Sequence, residues 1–151
     1  MSNYATDSDV LEYEPRIKDY GVIDFTADHT KSTADIQRLL RVEWWPRVSR
    51  NSPTKSKYFT STGLEMDTTK LTASQFKRAA VYHVLAYYIL PRLTQHQGED
   101  DRFFQMIAFY KNKFREEFDL VLADGIEYDY DGDGTVEETE KQTAHYNRLI
   151  R

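Results

Sequence analysis

The clearest chemistry in this chain of 151 residues lies near its end, in the stretch Asp129-Tyr-Asp131-Gly-Asp133-Gly134-Thr135-Val136-Glu137-Glu138-Thr139-Glu140. Aspartates at loop positions 1, 3 and 5, a glycine at 6 and a glutamate at 12 form the pattern of an EF-hand calcium loop. In that chemistry Asp129, Asp131 and Asp133 turn three hard carboxylate donors inward, and Gly134 takes the sharp bend. Thr135 offers its backbone carbonyl, Glu137 acts through a water, and Glu140 closes the shell with both oxygens. Val136 is the apolar residue that such a loop buries. The surroundings depart from a standard EF-hand. Asp124-Gly125 breaks the incoming helix before Asp129, and the sequence holds no second loop of this kind to pair with the first. The spacing therefore predicts a single structural Ca2+ loop rather than a sensor. The competing reading is an acidic turn held by its own Asp side chains, without metal.

Other chemistry is thinly supported. With no cysteine in the chain, thiol nucleophiles, zinc–thiolate sites, iron–sulfur clusters and disulfides are excluded. His29, His83, His96 and His145 fall in separate segments without metal-ligand spacing, and His83 sits in an apolar run that suits a core residue. The six glycines are scattered among turns rather than gathered in a phosphate loop. An enzyme built on scattered carboxylates is the remote alternative; the expectation is no enzyme. Trp44-Trp45-Pro46-Arg47 is the other notable cluster. Neighbouring helical positions point about 100° apart, so one indole is expected in the core. The other is expected as an interface anchor rimmed by Arg41, Arg47 and Arg50.

These candidates need elements to hold them. Residues 1–31 show no sustained period and read as an extended acidic arm, with at most one short strand near Val22 to Phe25. Residues 32–151 read as one α-helical domain that includes the 129–140 loop. Its first helix is expected to start at Ser32-Thr33, to bury Ile36, Leu39, Leu40 and Trp44, and to stop at Pro46. A linker over 47–71 allows a short strand at 58–62. Thr72-Ala-Ser-Gln75 reads as a capping box for a second helix, apolar nearly all round over 79–90, that Pro91 kinks or ends. A third helix opens at Glu99-Asp-Asp101 with the stripe Phe103, Ile107, Tyr110, Phe114, Phe118 and Val121, and stops at Asp124-Gly125. Residues 137–150 suit a last short helix. The predicted fold is mainly α: a small helical bundle built on a central antiparallel helix hairpin, with an extended N-terminal arm and a C-terminal EF-hand-like loop.

Charge is segregated along the chain. The net charge of −5 divides into −5 over residues 1–30, +5 over residues 31–60 and a mixed remainder. The bases of the second quarter are spread rather than clustered, which suits docking on an acidic neighbour or another copy better than nucleic-acid recognition. No apolar run of about 18 residues exists, so no membrane span is expected. The polar, acidic N-terminus does not suit a secretory signal, so a soluble protein made in the cytosol is expected.

Taken together, four stretches carry a resemblance. They are Trp44-Trp-Pro-Arg47, the helix with Phe76, Ala79, Tyr82 and Leu85, the helix with Phe103, Tyr110 and Phe114, and Asp124 to Gly134. Over about residues 33–140 the combination resembles the head–tail adaptor (head-completion) proteins of tailed bacteriophages. The resemblance implies a small helical bundle with extended arms and no catalytic residues. It implies a structural virion protein of the neck, made in the host cytoplasm, that forms a ring (typically a dodecamer) beneath the portal protein. That ring would dock the tail terminator or stopper and extend a channel through which DNA passes without sequence-specific contact. The alternative from another class is a calcium-dependent protein-binding module, in which the single loop controls exposure of aromatic faces.

Overall fold

The stripe of rings that recurs every three or four residues forms the longest helix, α6 (Arg102–Asp124). It is seen in a computed structural model that describes residues 2–51, 65–94 and 101–141. Tyr110, Phe114, Phe118 and Val121 of the stripe are buried, while Phe103 and Ile107 pack against the core from its edge. Asp101 caps the helix, its Oδ1 accepting from the Phe103 amide at 2.9 Å. Among the described residues the chain is mainly helical and holds no β-strand. The strand expected at 58–62, and residues 142–150 of the expected last helix, lie outside the described residues; the start of that helix is a 3₁₀ turn over Glu138–Glu140.

Two helical stretches complete the bundle, the second packed on α6 and the first on the second, and both cross a proline in the same way. The first is α2 (Thr26–Leu39), then a π turn over Leu40–Trp44, then α3 (Trp45–Asn51). The second is α4 (Lys77–Val84), a π turn over Leu85–Ile89, then α5 (Leu90–Leu93). Pro46 therefore does not stop its helix, contrary to expectation. Proline lacks an amide hydrogen and its ring clashes with the carbonyl four residues back. In each stretch a wide turn placed just before the proline alters that pairing: the Trp45 amide donates to Leu40, and the Leu90 amide to Leu85. Leu40-Arg-Val-Glu-Trp-Trp-Pro-Arg47 and Leu85-Ala-Tyr-Tyr-Ile-Leu-Pro-Arg92 share their first residue, their last two and their backbone course. Along α4 and α6 the contacts pair rising with falling residue numbers. Arg78 lies 3.7 Å from Glu117, and the rings of His83 and Phe114 are 4.8 Å apart.

The N-terminal segment corrects a second expectation. It is not extended but folded onto the body. It forms α1 (Asp7–Tyr13) and a 3₁₀ turn over Ile17–Tyr20, and α2 begins at Thr26, so the proposed boundary at 31/32 falls inside a helix. Ser32 and Thr33 are buried helical residues rather than a cap. Tyr4, Ala5, Val10, Ile17 and Phe25 join the common core. The Tyr4 ring stacks on Phe76 at 5.1 Å, and its amide donates to Thr33 Oγ1 at 3.0 Å. Charged groups fasten the outside: Lys77 meets Asp9 at 2.6 Å, and the Tyr110 hydroxyl donates to Glu14. A helix of seven residues has no stability of its own, so its order comes from this packing.

The start of α4 departs from the sequence pattern as well. Thr72 makes no side-chain cap, and a 3₁₀ turn over Ala73–Phe76 precedes the helix. Gln75 is used elsewhere. Its Nε2 donates to the Gly125 carbonyl at 2.6 Å and its Oε1 accepts from the Glu127 amide at 3.0 Å, tying the exit of α6 to the entrance of α4.

Candidate functional site

The acidic loop is set on a rigid base. Gly125 ends α6 with φ 109° and ψ 131°, a backbone shape that side chains disfavour. The chain then runs beside residues 70–72. Leu71 and Tyr128 form an antiparallel bridge, the Thr72 amide donates to the Glu127 carbonyl at 3.3 Å, and the Asp129 amide donates to Lys70 at 3.0 Å. Tyr128 is buried against the indoles of Trp44 and Trp45, with centroid distances of 5.8 and 5.3 Å, and meets Tyr130 edge-on at 4.7 Å. Its hydroxyl accepts from the Asp67 amide at 3.1 Å. The loop is thus entered from a bridged, ring-packed segment, where an EF-hand would have a helix.

Within the loop each aspartate organises backbone ahead of it. Asp129 accepts from the Gly132 amide (Oδ1, 2.7 Å) and from the Gly134 amide (Oδ2, 2.9 Å), and both glycines have positive φ. Asp131 accepts from the Asp133 amide at 3.1 Å. Asp133 accepts from the Thr135 hydroxyl and amide, and these bonds hold its carboxyl below the usual carboxylate range. The outcome is a cup in which one oxygen from each of Asp129, Asp131 and Asp133 lies within 4.8 Å of the others.

The other two expected carboxylates stand outside this cup. Glu140 is buried and closes the loop through backbone amides. Its Oε1 accepts from Tyr130 at 3.0 Å and Asp131 at 3.4 Å, and its Oε2 accepts from Glu137 at 3.0 Å. Glu137 and Thr135 are exposed, and neither Glu137 nor Glu140 joins the cluster of carboxylates. Lys70 reaches the same loop, its Nζ donating to the Tyr130 carbonyl at 3.4 Å. Three of the five expected carboxylates therefore converge. Their donors are the hard oxygens that Ca2+ takes, and a full shell would draw its other oxygens from water or from a re-aimed Glu140.

The tryptophan pair corrects the interface expectation. Both indoles are buried in this chain, Trp44 fully and Trp45 to 6% exposure. The wide π turn and the cover given by Tyr128 let consecutive indoles share one core, so neither is a surface anchor. Arg41 and Arg47 are exposed, and the side chain of Arg50 lies outside the described residues.

One further constellation was not visible in the sequence because its members come from two helices. Ser32 Oγ lies 3.0 Å from His83 Nδ1, and His83 Nε2 lies 4.0 Å from Asp35. This is a serine–histidine–carboxylate set, but Ser32 is only 1% exposed, so no substrate reaches it. Its effect is to tie α2 to α4. Burial lowers the His83 pKa to about 4 against the weaker pull of Asp35, so the ring is neutral. The Tyr88 hydroxyl donates to the same Asp35, and burial together with that bond pushes its pKa up to about 12.

No protein family, curated protein or solved structure matches this chain. No helix among the described residues is long and apolar enough to cross a membrane.

Proposed function

We propose that the chain is a structural subunit of the neck of a tailed bacteriophage. It would assemble as a ring between the portal protein and the tail terminator or stopper. The reading rests on the resemblance of residues 33–140, and one observation carries it. Two separate stretches of that resemblance are parts of one packed unit, with Trp44 and Trp45 seated on Tyr128 at the entrance to the acidic loop. The motifs then serve a common purpose, a stiff junction between the α2–α3 stretch and the end of α6. The chain's net charge of −5 suits the wall of a channel through which DNA must slide, since like charge avoids sticking. The test is a mass measurement on the purified protein mixed with the portal protein encoded beside it. A stable complex with about one copy per portal subunit supports the reading. No complex, in calcium or in chelator, overturns it.

A second reading is favoured by the convergence of three carboxylates: a calcium-dependent binding module. Because Glu140 already closes the loop, a bound ion would act as a local brace rather than as a switch. The expected result is a modest rise in unfolding temperature with calcium over chelator, abolished by Asp129→Ala with Asp131→Ala. A stability gain well above about 1 kcal/mol, or a partner captured only with calcium, would favour the module instead. Equal melting of the parent in both conditions removes the metal from both readings.

A further inference from the structure

The outer surface of the α2–π–α3 stretch carries three exposed arginines. Arg38, Arg41 and Arg47 are exposed, and none has an ion-pair partner among the described residues. Between them stands Val42, 68% exposed. On α6 a second strip has the opposite sign in nearly the same order: Glu116 and Asp119, then Leu120, 63% exposed, then Asp124. In both strips a charged residue lies four positions before the apolar one and another lies one position before it. Glu116 and Asp119 do have partners of their own, Lys113 at 3.1 Å and Arg115 at 2.6 Å. Their side chains remain 64% and 53% exposed; the lone Glu116–Lys113 pair is weak, and Arg115 is held by both oxygens of Glu43 and so does not depend on Asp119. An apolar centre with a charged rim is the anatomy of a protein–protein contact. A single-stranded nucleic-acid face would instead want exposed rings for stacking, and both tryptophans here are buried.

We infer that the Arg38–Arg41–Val42 strip of one copy docks on the Glu116–Asp119–Leu120 strip of a second copy of this chain. Two different, complementary patches make a head-to-tail contact, which repeats around a ring when its rotation closes. The inference deepens the ring reading above and rests on it for that closure; the contact itself rests on charge and register. It also moves the interface anchor from the buried tryptophans to Val42 while retaining Arg41 at the rim.

The test is charge reversal, read by sedimentation equilibrium of the full chain. The parent is expected to self-associate in a concentration-dependent way that weakens as salt rises. Arg38→Glu with Arg41→Glu, and separately Glu116→Arg with Asp119→Arg, are each expected to weaken association at least tenfold. Mixing the two variants, or combining all four changes in one chain, is expected to restore it. Helix content by circular dichroism checks that each variant folds. A parent that stays monomeric at about 1 mM, or reversed variants that associate like the parent, overturns the assignment. So does a result in which the arginine changes abolish binding to duplex DNA but leave self-association intact. The portal mass measurement reads separately: a reversed variant that joins the portal at the parent's stoichiometry sinks this interface and leaves the connector reading standing.

Discussion

Replacing Trp44 with alanine is expected to destabilise the folded chain by about 3–5 kcal/mol, the range for emptying a large buried aromatic site. Trp44 is fully buried, and its indole lies 5.7 Å from Trp45 and 5.8 Å from Tyr128. Its removal opens a cavity beneath the two rings that seat the acidic loop. The neighbours cannot collapse freely, because Tyr128 is pinned at its hydroxyl by the Asp67 amide and along its backbone by the bridge to Leu71. Urea unfolding should show a lower midpoint with little change in slope. Hydrogen exchange should speed up at the Gly132 and Gly134 amides, which depend on where Asp129 is held. Val42→Ala, two residues away but 68% exposed, is the control and should stay within about 0.5 kcal/mol of the parent. A Trp44→Ala protein as stable as that control would mean that the indole is not the floor of the loop.

The sequence announces some of this arrangement and conceals the rest for definable reasons. The α6 stripe is legible because one helix carries the whole pattern, and its period survives 23 residues. The acidic loop is legible because its side chains act on backbone within a few positions of themselves. The N-terminal fold is not, since α1 contributes few core residues and the segment is held by Phe76 on Tyr4 and Lys77 on Asp9, more than 60 positions away. A local sign was available: Asp9 accepts from the Thr6 amide at 2.8 Å, a capping signal in Thr6-Asp-Ser-Asp9. Pro46 misleads for another reason. Proline rules describe an α-helix, and the chain avoids the clash by changing helix type just before each proline. That same turn lets Trp44 and Trp45 be buried together, which a straight helix would hinder. Gln75 shows how a local motif loses to tertiary structure, its amide being drawn to Gly125 and Glu127 instead of the cap.

Acidification from pH 7 to pH 4 is expected to cost about 3 kcal/mol of stability through His83 alone. The ring is 5% exposed, stacked on Tyr87 at 4.5 Å, edge-on to Phe114, and bonded to Ser32 through Nδ1. Burial disfavours its cation and moves its pKa from 6.5 to about 4; Asp35, 4.0 Å away, opposes the shift but does not cancel it. The sign follows from proton counting. Between pH 6.5 and about 4 the unfolded chain binds a proton at His83 that the folded chain does not, so stability falls as pH falls. Above that window the contribution is complete, and below it the loss has been made in full. At about 1.36 kcal/mol per unit, a shift of this size gives the stated figure. Depressed carboxylates act in a lower window. Asp67 and Asp133, held low by bonds from Thr69 and Thr135, lose their contributions only as pH falls below the ordinary carboxylate range. The two effects therefore separate on the pH axis. Urea unfolding of the parent between pH 7 and pH 4 should show the slope, and His83→Gln, which cannot gain the proton, should flatten it; extending the series below the carboxylate range should show the lower-pH fall in both proteins. A parent whose stability holds level from pH 7 to pH 4.5 would mean that His83 carries its charge in the folded state, with Asp35 outweighing burial.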